Sequence, residues 1–197
     1  MDTNADRERL IDVGLDVCAR QGYDMTGLAE IAAAAGVSEA ALAHQFATKE
    51  SIVMAPVDAM LKAVVVALAD IDAKVDSVDA LQAAHTKVLS DIIDGAGPIS
   101  RERMQAMGTV VMYSNELQER TYEHRTGILG DVLAKRLKVD RNHPSVARAI
   151  TMWSAVVAAT YVAAPDRNGR FDPRDDARRP HRMRERLAHV FTVITGR

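Results

Sequence analysis

Between Gly22 and Lys49 the sequence is punctuated so closely that it leaves room for two short helices and little else. Thr26 is an N-cap residue ahead of Leu28, Ile31, Ala32 and Ala35, whose i, i+3, i+4, i+7 spacing puts all four on one helix face. Gly36 stops that helix and permits a sharp turn. Ser38 is a second N-cap, and Glu39 suits the positive end of the helix dipole. Val37 and Leu42 stand at the spacing of a hydrophobic staple. This helix reaches about Phe46, and Thr48 caps a long one that starts at Lys49. Ahead of them, residues 9–21 form a first helix with Ile11, Gly14, Leu15, Cys18 and Ala19 inward and Asp12, Asp16 and Arg20 outward, stopped by Gly22. Two short helices joined by a glycine turn and packed on a longer first helix make a helix-turn-helix.

The remainder continues as helix. Ile52, Val57, Met60, Leu61, Val64 and Leu68 stripe the fourth helix to about Asp70. Further helices are expected over 78–93, 100–113, 115–138, about 145–163 and about 175–194, with Pro180 kinking or delaying the last and 165–172 as a loop. Aromatic residues make up only 4% of the 197, and no strand-like alternation interrupts the pattern. The expected fold is all-α, about nine helices, with a helix-turn-helix domain over 1–48 and a helical domain over 49–197.

The stretch from Arg7 to Ile52 resembles the N-terminal domain of TetR-family transcriptional regulators through "GYDMT", "IAAAAGVS" and "HQFATKE". The resemblance is ungapped and covers about a quarter of the chain. It implies that the second helix of the motif enters the DNA major groove, where exposed side chains meet base edges and nearby cations meet phosphates. By that resemblance Ser38, Glu39, Ala40, Ala41, Ala43 and His44 lie at the DNA face, and Thr26 and Lys49 stand at phosphate-contacting positions. Leu28, Ile31, Ala32, Val37, Leu42 and Phe46 hold the motif together.

Two positions depart from the family pattern. Ala43 stands where a backbone-contacting Tyr is usual, and Glu39 where a cation is common. Residues 1–50 carry nine acids against four bases, a net charge of −5. Weak non-specific binding and a shallow salt dependence follow. The alternative reading is a helical interaction or small-molecule-binding protein whose vestigial helix-turn-helix no longer touches DNA.

The family resemblance also implies a small-molecule sensor in the C-terminal helices, a double-stranded DNA partner, and a homodimer built on the helices at 145–163 and 175–194. His85, Met104, Met107, Met112, Tyr113, Tyr122 and Trp153 are the candidate lining of a pocket for a small apolar or acyl-type ligand. Arg101, Arg103 and Arg125 are candidates for an anionic head group. Ala147, Ile150, Ala155, Ala158, Ala159 and Val162, with Leu187, Val190, Phe191 and Ile194, are candidates for the dimer contact. The segment from Asp166 carries nine bases against five acids.

The remaining classes are disfavoured. Cys18 is the only cysteine, and His85, His124, His143, His181 and His189 lack the spacing of a metal site, so no metal and no cofactor is expected. No phosphate loop or nucleophile elbow is present, so an enzyme is not expected. The N-terminus lacks an apolar signal core, and the apolar stretch Ala155–Ala164 is too short to span a bilayer, so a cytoplasmic protein without a membrane partner is expected.

Overall fold

A computed structural model describes residues 3–161 and 179–196, with the side chains of Thr3 and Asn4 left aside. It contains α1 (Thr3–Gln21), α2 (Leu28–Ala35), α3 (Glu39–Gln45), α4 (Lys49–Ala69), α5 (Ser77–Asp94), α6 (Arg101–Met112), α7 (Asn115–Leu137), α8 (Pro144–Tyr161) and α9 (Pro180–Thr195). The described residues form no strand. The all-α expectation holds. The expected loop at 165–172, the start of the last helix at 175, and Val162 lie outside the described residues.

Side-chain caps set most of the helix starts. Ser38 Oγ accepts from Ala41 N at 3.1 Å, and Thr48 Oγ1 accepts from Ser51 N at 3.1 Å. Asp76, Ser100 and Ser114 do the same for α5, α6 and α7. The second helix is the exception. Gly27, not Thr26, is its N-cap, and Glu30 reaches back to accept from Gly27 N at 2.8 Å. Thr26 caps nothing, because its hydroxyl donates to Gly22 O at 2.8 Å. Pro180 begins α9 rather than kinking it, since its missing N–H falls where a helix has no internal partner for one.

The helix-turn-helix closes over a small core of Leu15, Ile31, Leu42, Phe46 and Ile52, all fully buried. Each such side chain contributes roughly 1.5–3 kcal/mol of burial. Gly36 adopts φ +68°, the left-handed geometry that the turn between α2 and α3 requires. Gly14 lets α1 and α4 approach: a Cβ there would lie 2.6 Å from Ile52 Cγ2. The inward face of α1 differs at one end from its expected stripe. Val17 is buried and Ala19 is exposed.

The fourth helix joins the two parts. Its first turns pack on α1 through Ile52 and Val53, and its later turns carry Met60, Leu61, Val64 and Leu68 into the body with α5, α6 and α7. By length and composition the run from Glu39 to Ala69 is apolar enough to cross a membrane. It is longer than Ala155–Ala164, but it is divided between α3 and α4, and its apolar part is α4, which packs in the core. Pro56 lies inside α4, between its two packed segments, and cannot donate to the carbonyl of Ile52. Just past the helix end Arg136 of α7 collects carbonyls of the turn that follows α4, donating to Ile71 O at 2.8 Å and Asp72 O at 2.5 Å.

A second tie runs from α6 to α1. Arg103 donates to both Asp12 carboxylate oxygens at 2.7 and 2.9 Å, and to the Glu8 side chain. The hydrogen bonds to Asp12 hold its guanidinium above the usual arginine range against the opposing effect of burial, and those to Glu8 add to this. Arg103 is thus a clamp between the body and the helix-turn-helix, not a free anion receptor.

Candidate functional site

The third helix presents a smooth outer surface. Ser38, Glu39, Ala40, Ala41, Ala43 and His44 are all exposed, while Leu42 is fully buried beneath them. The alternation follows from a seven-residue helix anchored by one apolar side chain, with Phe46 closing its end. The methyl-sized side chains at 40, 41 and 43 leave the helix backbone open to close approach, and Ser38, Glu39 and His44 are the polar groups of this face.

The two expected phosphate contacts sit differently. Thr26 is 2% exposed, and its hydroxyl supports the turn from beneath. Lys49 bends back onto the α1–α2 turn. Its ammonium donates to Tyr23 O at 2.7 Å and Thr26 O at 2.9 Å, and lies 4.2 Å from the centroid of the Tyr23 ring. The other bases of this region are engaged as well. Arg7 stacks on Phe46 at 4.3 Å, Arg9 donates to Ala35 O at 2.8 Å, and Arg20 pairs with Asp16 at 2.8 Å. All four bases of residues 1–50 have partners within the chain.

In the body, α4, α5, α6, α7 and α8 enclose an apolar cavity of about 520 Å³. Five of the seven expected lining residues meet there: His85, Met107, Met112, Tyr122 and Trp153. Met104 and Tyr113 do not. Met104 is fully buried in the core one turn before Met107, and Tyr113, at the end of α6, is half exposed. Sequence periodicity missed Val57, Met60, Leu61 and Val64 as lining, because a stripe facing a cavity reads like a stripe facing a core. Tyr161 was also missed.

The polar groups of the cavity are few. His85 Nε2 lies 2.9 Å from the Tyr161 hydroxyl, and the imidazole meets the Trp153 ring edge-on with centroids 5.6 Å apart. Burial, assisted by the charge of Arg125, pushes His85 down to about 4 and keeps it neutral. Burial raises the Tyr161 phenol, so it too is uncharged. Arg125 projects from α7 into the same space. Of the other two arginines considered for a head group, Arg103 is clamped to α1, and Arg101 is exposed and donates to Ile93 O.

A wider polar groove of about 900 Å³ runs along α4 and α7. Its charges already satisfy one another: Arg120 with Glu50 and Glu123 at 3.3 Å, His124 with Asp58 at 3.3 Å, and Arg141 with Asp131. Among the described residues no group of three His, Cys, Asp or Glu side chains is placed to hold a metal ion.

Residues 10–55 match the family model of bacterial regulatory proteins of the tetR family. The likeness covers the helix-turn-helix, about a quarter of the chain. Its fold agrees along its length with that of a TetR-family regulator from Streptomyces coelicolor A3, at 19% identity and a TM-score of 0.57, covering 99% of this chain and 97% of that one. CprB, a TetR-family protein from S. coelicolor A3(2), is 24% identical with a TM-score of 0.51, covering 100% and 90%. The fatty acid degradation regulator FadR from Bacillus halodurans is 12% identical with a TM-score of 0.51, covering 97% and 95%. No curated protein matches the chain by sequence. These likenesses show the fold that the chain shares with regulators of this kind.

Proposed function

We propose that this protein is a TetR-family transcriptional regulator: a cytoplasmic, dimeric repressor that binds a palindromic operator through α3 and leaves it when a small apolar or acyl-type ligand fills the cavity in the body. The observation that carries this reading is continuity. The helix that begins beside α3 at Lys49 becomes, after Pro56, a wall of the cavity at Val57, Met60, Leu61 and Val64. A ligand seated against those side chains acts on the segment that orients the helix-turn-helix. The Arg103 clamp offers a second route, because α6 lines the cavity at Met107 and grips α1 one turn earlier. Such a ligand shifts the equilibrium only by its preference for the arrangement that does not fit DNA.

We take residues 1–48 as the DNA-binding domain and 49–197 as the ligand-binding and dimerisation domain. Ser38, Glu39, Ala40, Ala41, Ala43 and His44 meet the groove, and the Lys49 charge acts on phosphate from its place over Tyr23. The dimer forms through α8 and α9. Ala147, Ala155, Ala158 and Ala159 leave an exposed face of small side chains on α8, and Val193 and Ile194 are exposed on α9. Leu187 and Phe191 are buried within the chain and hold α9 in place. Two copies set their recognition helices about one turn of DNA apart, or a multiple of it.

One observation favours the alternative, a vestigial helix-turn-helix: all four bases of the acidic N-terminal region are engaged internally. The deciding experiment is a fluorescence-anisotropy titration with DNA from the region upstream of the protein's own gene, at two salt concentrations, with random DNA as control. Selective binding that fades gently with salt supports the repressor. Absence of selectivity at both salts overturns it in favour of the alternative.

A further inference from the structure

Arg125 is the one formal charge among the residues that line the described cavity; the rest are apolar, hydroxyl or amide side chains, with His85 neutral. Its Nε is shut off from water and has no hydrogen-bond partner. No described carboxylate pairs with it, and its electrostatic neighbours are the phenols of Tyr161 and Tyr122, the latter ring 5.8 Å away. A partly buried guanidinium without a counter-charge, one nitrogen of it cut off from water, is costly and persists where something else completes it. Elsewhere in the body Arg103 is completed by two carboxylates, and Arg136, whose Nε is also unpartnered, has both terminal nitrogens on backbone carbonyls, whereas no described group bonds those of Arg125.

We infer that the ligand is an apolar monocarboxylate, bound with its carboxylate on the Arg125 guanidinium and its hydrocarbon against Val57, Met60, Leu61 and Trp153. This rests on the reading of the cavity as a ligand site given above. The planar fork of arginine matches a carboxylate with two parallel hydrogen bonds. The single positive charge matches a single negative one, whereas a coenzyme A thioester brings several phosphates and this lining has no further cation for them. The neutral His85–Tyr161 pair adds a polar contact without adding charge.

Trp153 is the only tryptophan of the chain and lines the cavity, so its fluorescence reports occupancy directly. The test titrates the full chain with matched probes: octanoate against octanol and octylamine, and 4-phenylbutyrate against 4-phenylbutanol. The acids are expected to bind at least about tenfold more tightly than the alcohols, and the amine most weakly. Arg125→Met is expected to weaken acid binding by about 10–100-fold and leave the alcohols unchanged, with Arg125→Lys in between. The preference in the unaltered protein tests the inference even if a variant fails to fold. Alcohols binding as well as acids overturn the anion and leave the ligand-responsive reading standing. Preference for acids that survives in Arg125→Met overturns the assignment to Arg125. No response to either class overturns both the inference and the cavity as the ligand site.

Discussion

The helix-turn-helix and the cavity of the body use their cations in opposite ways. In the first, Arg7 lies on Phe46, Arg9 on the Ala35 carbonyl, Arg20 on Asp16 and Lys49 on two carbonyls and a ring. In the second, Arg125 faces an apolar cavity with its Nε unpartnered. A cation whose donors are satisfied by the fold is scaffold, and removing it costs stability. A cation that faces a cavity with none of its donors taken by the fold is a position reserved for something else, and removing it costs binding. Under the proposed function, an acidic domain addresses DNA by close approach of a small-surfaced helix more than by a cloud of free bases.

The largest test of this contrast is acid. His85 is held at about 4 in the fold by burial and by the neighbouring Arg125 charge, against about 6.5 in an unfolded chain. Between those values the unfolded chain binds a proton that the folded chain refuses. Stability is therefore intact above about pH 6.5 and falls as pH drops toward 4, by up to about 3 kcal/mol. Urea unfolding at pH 7.5, 5.5 and 4.5 should show His85→Gln losing less over this range than the unaltered protein. Equal losses would mean that His85 is not held neutral. Next in size, Lys49→Met leaves two carbonyls without their charged donor and should destabilise by about 2 kcal/mol. The milder Lys49→Ala should also weaken DNA binding evenly across sequences, because phosphate contacts carry little base information. An effect confined to one base position would assign Lys49 to base reading instead.

The local grammar of this chain is legible because it is written in caps and stripes. Ser38, Thr48 and the Leu28–Ile31–Ala32–Ala35 face place α2, α3 and α4 to within a residue or two. Where a local rule had two candidates, as with Thr26 and Gly27, the choice depended on whether the hydroxyl found a better partner at Gly22. Contacts across the fold are another matter. Nothing in spacing joins Arg103 to Asp12, 91 residues away, or separates it from Arg125, yet the first is a clamp and the second an open donor. The cavity was half legible for the same reason. Methionine and aromatic residues pointed to Met107, Met112, Tyr122 and Trp153, but Met104 shares the helix and faces the core, and only packing distinguishes them.

A smaller change of opposite sign is expected at Arg125. Replacing an unpaired, largely desolvated charge with an apolar side chain of similar length should raise stability of the ligand-free protein by about 1 kcal/mol, read as a higher urea midpoint. A drop like that of Lys49→Met would place Arg125 among the scaffold cations after all.

The smallest effect on stability belongs to His44→Ala. His44 is exposed on α3 and no neighbour depends on it, so stability should stay within about 0.5 kcal/mol. Its loss should nonetheless relax base preference at one position of each half-site by about 1 kcal/mol, since an exposed polar group on the outer face of a recognition helix reads base edges. The measurement is selection from a randomised operator library by the unaltered and substituted proteins. A preference lost at one symmetrical pair of positions, with overall affinity falling only in proportion, separates a base-reading side chain from Lys49, whose removal lowers every sequence alike. If the two selected motifs coincide, the polar group does no reading. The selectivity of α3 would then rest on Glu39 and on the close approach that Ala40, Ala41 and Ala43 allow.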